Sequence, residues 1–177
     1  SKVAKFAGAL KSHGINKGDR VIIYMPMIPE AALAMLGCAR IGAIHSVVFG
    51  GFASSELASR IDDSKAKLLV TASCGFEPGR TVEYKPLVEE AIKLANHKIS
   101  KMILFQRPGH KVKLNAPMEV SWSEVVSNAS DTDCVEMNSN ELAYILYTSG
   151  TTGTPKGIVR DIGGHIVALK WTMKNIY

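Results

Sequence analysis

Near the end of the sequence, residues 147–157 read Tyr147-Thr148-Ser149-Gly150-Thr151-Thr152-Gly153-Thr154-Pro155-Lys156-Gly157. These residue types together can hold an anion. Glycine lets backbone N–H groups come close to a charged ligand. Successive N–H groups in such turns form an anion-binding concavity. The Ser and Thr hydroxyls add donors, and Lys156 adds a compact positive charge suited to phosphate oxygens. The stretch follows the apolar run Ala143-Tyr144-Ile145-Leu146, the setting expected of a phosphate cradle. It is not a Walker A loop, because GxxxxGK[ST] does not match. Ser149 is not read as a nucleophile, since the G-x-S-x-G pattern is absent around it.

Other reactive side chains read more plainly. His45 lies in an apolar run and is expected to be a packed histidine with its hydrogen bonds satisfied. His165 falls in a helical segment, with a surface or packing role. Trp122 and Trp171 are expected to pack. Cys38, Cys74 and Cys134 are far apart, with no CxxC or His-rich spacing that would indicate a metal site. They are read as inert thiols of a reducing compartment, cytoplasm or mitochondrial matrix.

Stepping along the chain, helical spacing of Val3, Phe6, Ala7 and Leu10 predicts a first helix ending before Gly14. Residues 21–25 form a short β-branched run, which predicts a strand buried on both faces. Pro29 starts a helix that Gly42 ends. Residues 43–49 predict a second strand running into Gly50-Gly51. A helix capped by Ser54 or Ser55 follows, ending near Ile61. Strands are predicted over 67–71, 101–105 and 142–148, and helices over 84–95, 122–128 and 162–177. Residues 106–141 have the weakest periodicity and read as a long irregular excursion. Alternation of strands and helices predicts an α/β fold, a doubly wound and mainly parallel sheet with flanking helices. Ligands of such sheets bind at the carboxyl ends of the strands, where Gly50-Gly51, Cys74-Gly75 and the 148–156 loop all fall.

The chain has 177 residues, 46% hydrophobic and 21% charged, enough for a domain with a real core. No apolar run is long enough to span a bilayer, and the first residues lack the apolar core of a secretory signal. The formal net charge is +5. Residues 91–118 carry only basic charges and residues 119–141 only acidic ones, so the two segments offset each other and read as solvated surface. Nucleic-acid binding, which needs a net basic face, is not expected, nor is a membrane.

The 147–157 stretch resembles the phosphate-binding signature of the adenylate-forming acyl-CoA synthetases. Gly18-Asp19-Arg20-Val21, Tyr24-Met25-Pro26-Met27-Ile28-Pro29-Glu30 and residues 39–52, which end in Phe49-Gly50-Gly51-Phe52, extend the resemblance to the short-chain branch. That branch includes acetyl- and propionyl-CoA synthetases. Arg160-Asp161-Ile162-Gly163-Gly164 and residues 72–87 look more like the propionyl enzymes. The resemblance covers essentially the whole chain and implies a single partial domain, part of the N-terminal domain of a longer enzyme whose C-terminal domain is absent here.

It also implies the chemistry. A carboxylate attacks the α-phosphate of ATP, giving an acyl-adenylate and pyrophosphate. The coenzyme A thiol then displaces AMP. Thr148, Ser149, Gly150, Thr151, Thr152 and Gly153 would wrap the β- and γ-phosphates, and Lys156 would neutralise them. Mg²⁺ would share that charge. Phe49, Gly50, Gly51, Glu77, Pro78, Gly79 and Arg80 would line the coenzyme A site, with Arg80 suited to phosphate. Acetyl-CoA synthetases carry Arg where this chain has Glu77. The adenine, ribose and most acyl contacts would lie beyond Tyr177, so the chain by itself is expected to lack complete ligase activity. It is also expected to expose apolar surface, around residues 162–177, with self-association as a consequence. Other adenylate-forming enzymes and a non-catalytic nucleotide-binding module are the alternatives.

Overall fold

A computed structural model describes residues 1–148 and 155–177. Residues 149–154 lie outside the described part, and with them the expected phosphate contacts Ser149, Gly150, Thr151, Thr152 and Gly153. The elements in chain order are α1 (Lys2–Ser12), β1 (Arg20–Met25), α2 (Pro29–Arg40), β2 (Ile44–Phe49), α3 (Ser54–Ser64) and β3 (Leu68–Ala72). Next come β4 (Cys74–Glu77), β5 (Arg80–Glu83), α4 (Tyr84–Leu94), β6 (Lys101–Phe105), β7 (Glu119–Ser121) and α5 (Trp122–Ser127). The last three are β8 (Leu142–Thr148), β9 (Lys156–Asp161) and α6 (Ile162–Asn175).

Helix ends follow local chemistry. Ser1 accepts from the Ala4 amide at the start of α1, and Pro29 occupies the first turn of α2, where no N–H is needed. The expected cap of α3 is not formed. Ala53 holds the capping position without a side-chain bond, and the Ser54 hydroxyl donates instead to Glu90 of α4 at 3.0 Å. A tertiary partner has outcompeted the local one.

Seven strands form one sheet in the order β7-β6-β3-β1-β2-β8-β9. Every pairing in it is parallel except β8 with β9. The chain winds from β1 to β2, then steps back across β1 to β3, so helices cover both faces. Val21, Ile23, Leu68, Val70 and Ile103 point to one face and pack with Phe6, Ala34, Cys38, Trp122 and Val125 of α1, α2 and α5. Their neighbours Ile22, Tyr24, Leu69, Met102 and Leu104 point to the other and pack with Leu57, Ile61, Tyr84, Val88 and Ala91 of α3 and α4. Period-two alternation on a sheet covered twice explains why β1 reads as a continuous apolar run. The expected doubly wound α/β architecture is what the chain adopts.

Several departures from the sequence reading are informative. β4 and β5 pair antiparallel as a hairpin where no strands were expected. β9 occupies residues read as loop, so the glycine-rich stretch connects two antiparallel strands and does not lead straight into a helix. The acidic segment is not uniformly solvated. Glu119 is buried and ion-paired with Lys85, and Lys17 pairs with Glu141. Trp122 packs as expected, stacked on Phe6 with ring centroids 4.1 Å apart. Trp171 does not; it is exposed, along with Ile166, Val167, Leu169 and Met173 of the same helix. Cys38 and Cys74 are buried, and burial pushes the Cys38 thiol up to about 12. Cys134 is exposed.

His45 is buried beside the ring of Tyr144, but contrary to expectation its Nδ1 has no hydrogen-bond partner. Burial, reinforced by the nearby charge of His165, lowers its pKa to about 4. The unfolded chain would therefore bind a proton near pH 6.5 that the folded chain refuses, and stability falls as pH drops through that window. We expect a loss of about 2 kcal/mol between pH 6.5 and 5 from this residue. Urea unfolding across that range, compared with His45→Gln, checks it; an unchanged slope in the variant contradicts the assignment.

Candidate functional site

Because β1, β2, β3, β6 and β8 run parallel, their carboxyl ends share one edge of the sheet. The segments that leave that edge are residues 26–28, 49–53, 73–83, 106–110 and the glycine-rich loop. Topology thus gathers the turns that sequence analysis assigned to phosphate and to coenzyme.

The loop is held at both ends. Thr148 closes β8 and pairs directly with Lys156, the first residue of β9. Lys156 is exposed. The preceding Tyr147 donates its hydroxyl to Asp63 of α3 at 2.6 Å. Burial, then that carboxylate, raises its pKa well above the ordinary phenol value, so it remains a donor. Arg60 of α3 is buried, with its guanidinium carbon 5.3 Å from the Tyr147 ring centroid and 4.8 Å from that of Phe52. It also donates to the Glu56 carbonyl and carboxylate. One arginine therefore bridges the strand entering the glycine-rich loop and the turn after β2.

That second turn is rigidly placed. Tyr24 of β1 donates to the carbonyls of Gly50 and Phe52, at 3.2 and 2.7 Å. Burial and the adjacent Tyr84 push its pKa up to about 12, which keeps the proton on the donor. Tyr84 lies between Gly50 and Gly75. A Cβ at Gly50 would sit 2.6 Å from Tyr84 Cζ, and one at Gly75 2.8 Å from Tyr84 Oη. Both glycines are thus required by a close side-chain approach. Phe49 and Phe52 meet edge to face at 5.8 Å, and Phe49 remains largely exposed.

Pro78 and Gly79 form the two-residue turn of the β4–β5 hairpin, with Gly79 at φ +77°. The turn sets Glu77 directly opposite Arg80, and their side chains close an ion pair at 2.6 Å. Arg80 therefore projects outward already neutralised. The hairpin's signal was present in the Pro-Gly dipeptide between two four-residue runs.

Sequence reasoning missed Tyr24, Arg60, Asp63 and Tyr84. Tyr24 fell in a predicted strand, Arg60 and Tyr84 in predicted helices, and Asp63 just past the expected end of one. Only the packing of α3 and α4 under the turns gives them a place at this edge.

Among the described residues no group of three His, Cys, Asp or Glu side chains could hold a metal ion. An open groove of about 600 Å³ lined by Ser55, Ser59, Asp62, Asp63 and Leu94 lies along α3. Its carboxylates would repel a polyphosphate, and Asp62 is already bound to the amides of Asn96 and His97.

Known proteins resemble this chain over nearly its whole length. A family model described as AMP-binding enzyme matches residues 1–176. The acyl-CoA synthetase short-chain family member 3, mitochondrial, of Homo sapiens is 56% identical over 177 residues, covering 99% of this chain and 26% of that protein. The acetyl-coenzyme A synthetase of Yersinia pseudotuberculosis is 48% identical over 178 aligned positions, 99% of this chain and 27% of that protein. Among solved structures, the acetoacetyl-CoA synthetase from Streptomyces lividans superposes with a TM-score of 0.87 at 24% identity, covering 97% of this chain and 26% of the other. It shares the fold. The chain spans about a quarter of the length of the relatives it matches.

Proposed function

Since the chain belongs to the AMP-binding enzyme family, we propose that it forms part of an acid–thiol ligase that activates a short-chain carboxylate, propionate in preference to acetate. The carboxylate oxygen attacks the α-phosphorus of magnesium-bound ATP and pyrophosphate leaves. The coenzyme A sulfur then attacks the acyl carbon, and AMP leaves as acyl-CoA forms. The observation that carries this reading is the convergence at one sheet edge of the glycine-rich β8–β9 connection, the 49–52 turn and the 77–80 hairpin.

In this reading Thr148, Ser149, Gly150, Thr151, Thr152, Gly153 and Lys156 receive the β- and γ-phosphates. Lys156 stabilises negative charge as pyrophosphate departs, where a fixed cation is worth more than in bulk water. Tyr147, tied to Asp63 and covered by Arg60, positions the entry of that loop. Phe49, Gly50, Gly51, Glu77, Pro78, Gly79 and Arg80 line the coenzyme A side. The ion pair of Arg80 with Glu77 means that Arg80 must exchange one anion for another to contact the coenzyme.

The parent sheet would continue with further elements, which would cover the exposed apolar side of α6 and the outer edge of β9. The 177-residue chain alone is then inactive in acyl-CoA synthesis and prone to self-association. The setting proposed is the cytoplasm or the mitochondrial matrix; the name of one relative, mitochondrial, supports the second. The complete polypeptide, given propionate, ATP and coenzyme A, is expected to release AMP and propionyl-CoA, and to turn over propionate faster than acetate. Release of ADP instead of AMP, or AMP release that does not need the thiol, contradicts the reading. Acyl-CoA synthesis by residues 1–177 alone contradicts the fragment's inactivity.

A further inference from the structure

Arg60 stands on the buried face of α3, 5% exposed, between the core residues Leu57 and Ile61. Taking a guanidinium out of water is costly, and an apolar side chain of similar volume is often as stable in such a place or more so. What the charge finds there is two aromatic faces. Its guanidinium carbon lies 4.8 Å from the ring centroid of Phe52 and 5.3 Å from that of Tyr147. Phe52 belongs to the turn that leaves β2, and Tyr147 to the end of β8. Glu56 fixes the guanidinium from its own helix. One terminal nitrogen donates to the Glu56 carboxylate at 2.8 Å and to its carbonyl at 2.6 Å.

The sheet does not join these two exits. β1 and β2 pair along their whole length, from Arg20 with Ile44 to Met25 with Phe49. β2 and β8 pair at His45 with Tyr144 and at Ser46 with Ile145, and among the described residues their ladder goes no further. The last residues of each strand, which carry the 49–52 turn and the glycine-rich loop, run on without it. Each exit has an anchor of its own. Tyr24 donates to the Gly50 and Phe52 carbonyls, and Tyr147 donates to Asp63. Arg60 touches both exits, so it spans the gap that the ladder leaves.

We infer that Arg60 is a positioning residue shared by the two half-reactions: it holds the glycine-rich loop and the 49–52 turn in register where β2 and β8 part. It acts through Tyr147 and Phe52, not on a substrate. The inference rests on the ligase reading of this sheet edge, with polyphosphate at one exit and coenzyme A at the other.

Arg60→Met in the complete polypeptide tests it, because methionine keeps much of the stem's packing and drops the charge. Propionate-dependent pyrophosphate exchange is expected to fall about tenfold. The KM for coenzyme A in thioester formation is expected to rise about tenfold, the scale of a desolvated cation–π contact converted to rate or affinity. The melting temperature is expected to hold or rise. Arg60→Lys is expected to recover part of both losses, since charge persists without the planar stack. Combined with Tyr147→Leu for the exchange rate, and with Phe52→Leu for the KM, the penalties of Arg60→Met are expected to fall short of additive. Loss in one half-reaction alone, loss in neither, or additive penalties overturn the inference and leave the ligase reading standing. A paired loss with a lower melting temperature also overturns it, unless Arg60→Lys shows the paired loss at an unchanged melting temperature. An unsubstituted polypeptide with no propionate-dependent exchange overturns the ligase reading and the inference together.

Discussion

Lys156→Ala, introduced into the complete polypeptide, is expected to slow adenylate formation by about 100- to 1000-fold, the range seen when one fixed donor to developing negative charge is removed. The physical argument is positional. Lys156 opens β9 directly across from Thr148, at the base of the glycine-rich connection, so the antiparallel ladder fixes where its backbone stands relative to that loop. Its side chain is exposed and belongs to neither core cluster. The substitution should therefore leave the fold intact and remove one cation from the polyphosphate. Propionate-dependent exchange of labelled pyrophosphate into ATP isolates this half-reaction from thiol transfer. Lys156→Arg should recover part of the rate, since charge persists while its shape and reach change. An exchange rate equal to that of the unsubstituted protein would remove Lys156 from the mechanism.

Gly50→Val is the second large effect, and its first consequence is on stability. The new Cβ would fall 2.6 Å from Cζ and 2.8 Å from Cε2 of Tyr84, a ring that is 5% exposed and packed against Tyr24. Neither partner can retreat cheaply. Tyr84 fills the space between Gly50 and Gly75, and the Gly50 carbonyl is bonded to Tyr24. Overpacking of this kind should destabilise the chain by about 3 kcal/mol, read from denaturant midpoints. It should also displace the turn that presents Phe49 and Phe52, weakening coenzyme A binding in the same variant. Tyr84→Leu in the Gly50→Val background should recover part of the loss. Additive penalties in the double variant would show that the clash with Tyr84 is not the cause.

The two experiments divide the site between charge and shape. In the proposed role Lys156 would act through an anion, and its exposed side chain contributes little to packing. Gly50 acts through the space it leaves for a phenol, and its contribution to the coenzyme side is inseparable from that packing.

Much of the frame was legible in residue order alone. The strands β1, β2, β3, β6 and β8 and the helices around them follow from short β-branched runs alternating with 3.6-residue periodicity. Burial on both faces follows from the uninterrupted apolar character of β1. These features depend on neighbours in sequence, so the sequence displays them directly. The composition of residues 147–157 likewise raised the expectation of an anion-binding loop, which the proposed function carries forward. Other features were not displayed. β9 has only exposed residues, so no alternation marks it, and its ladder with β8 alone makes it a strand. Glu119 sits within an acidic run, yet it is buried because Lys85 arrives from α4. Ser54 has the chemistry of a cap, yet Glu90 across the helix pair takes its hydroxyl.

What residue order determined by itself, then, is the alternating α/β frame, because it is written in local periodicity; the phosphate-loop chemistry is a proposal that composition raised. What only the tertiary structure decided is which side chains stand together at the sheet edge: Tyr24 beneath Gly50 and Phe52, Tyr84 between two glycines, Arg60 between Phe52 and Tyr147, Arg107 over Phe76. Those pairs join residues far apart in the chain, brought together when parallel strands aligned their carboxyl ends and the helices packed beneath the turns.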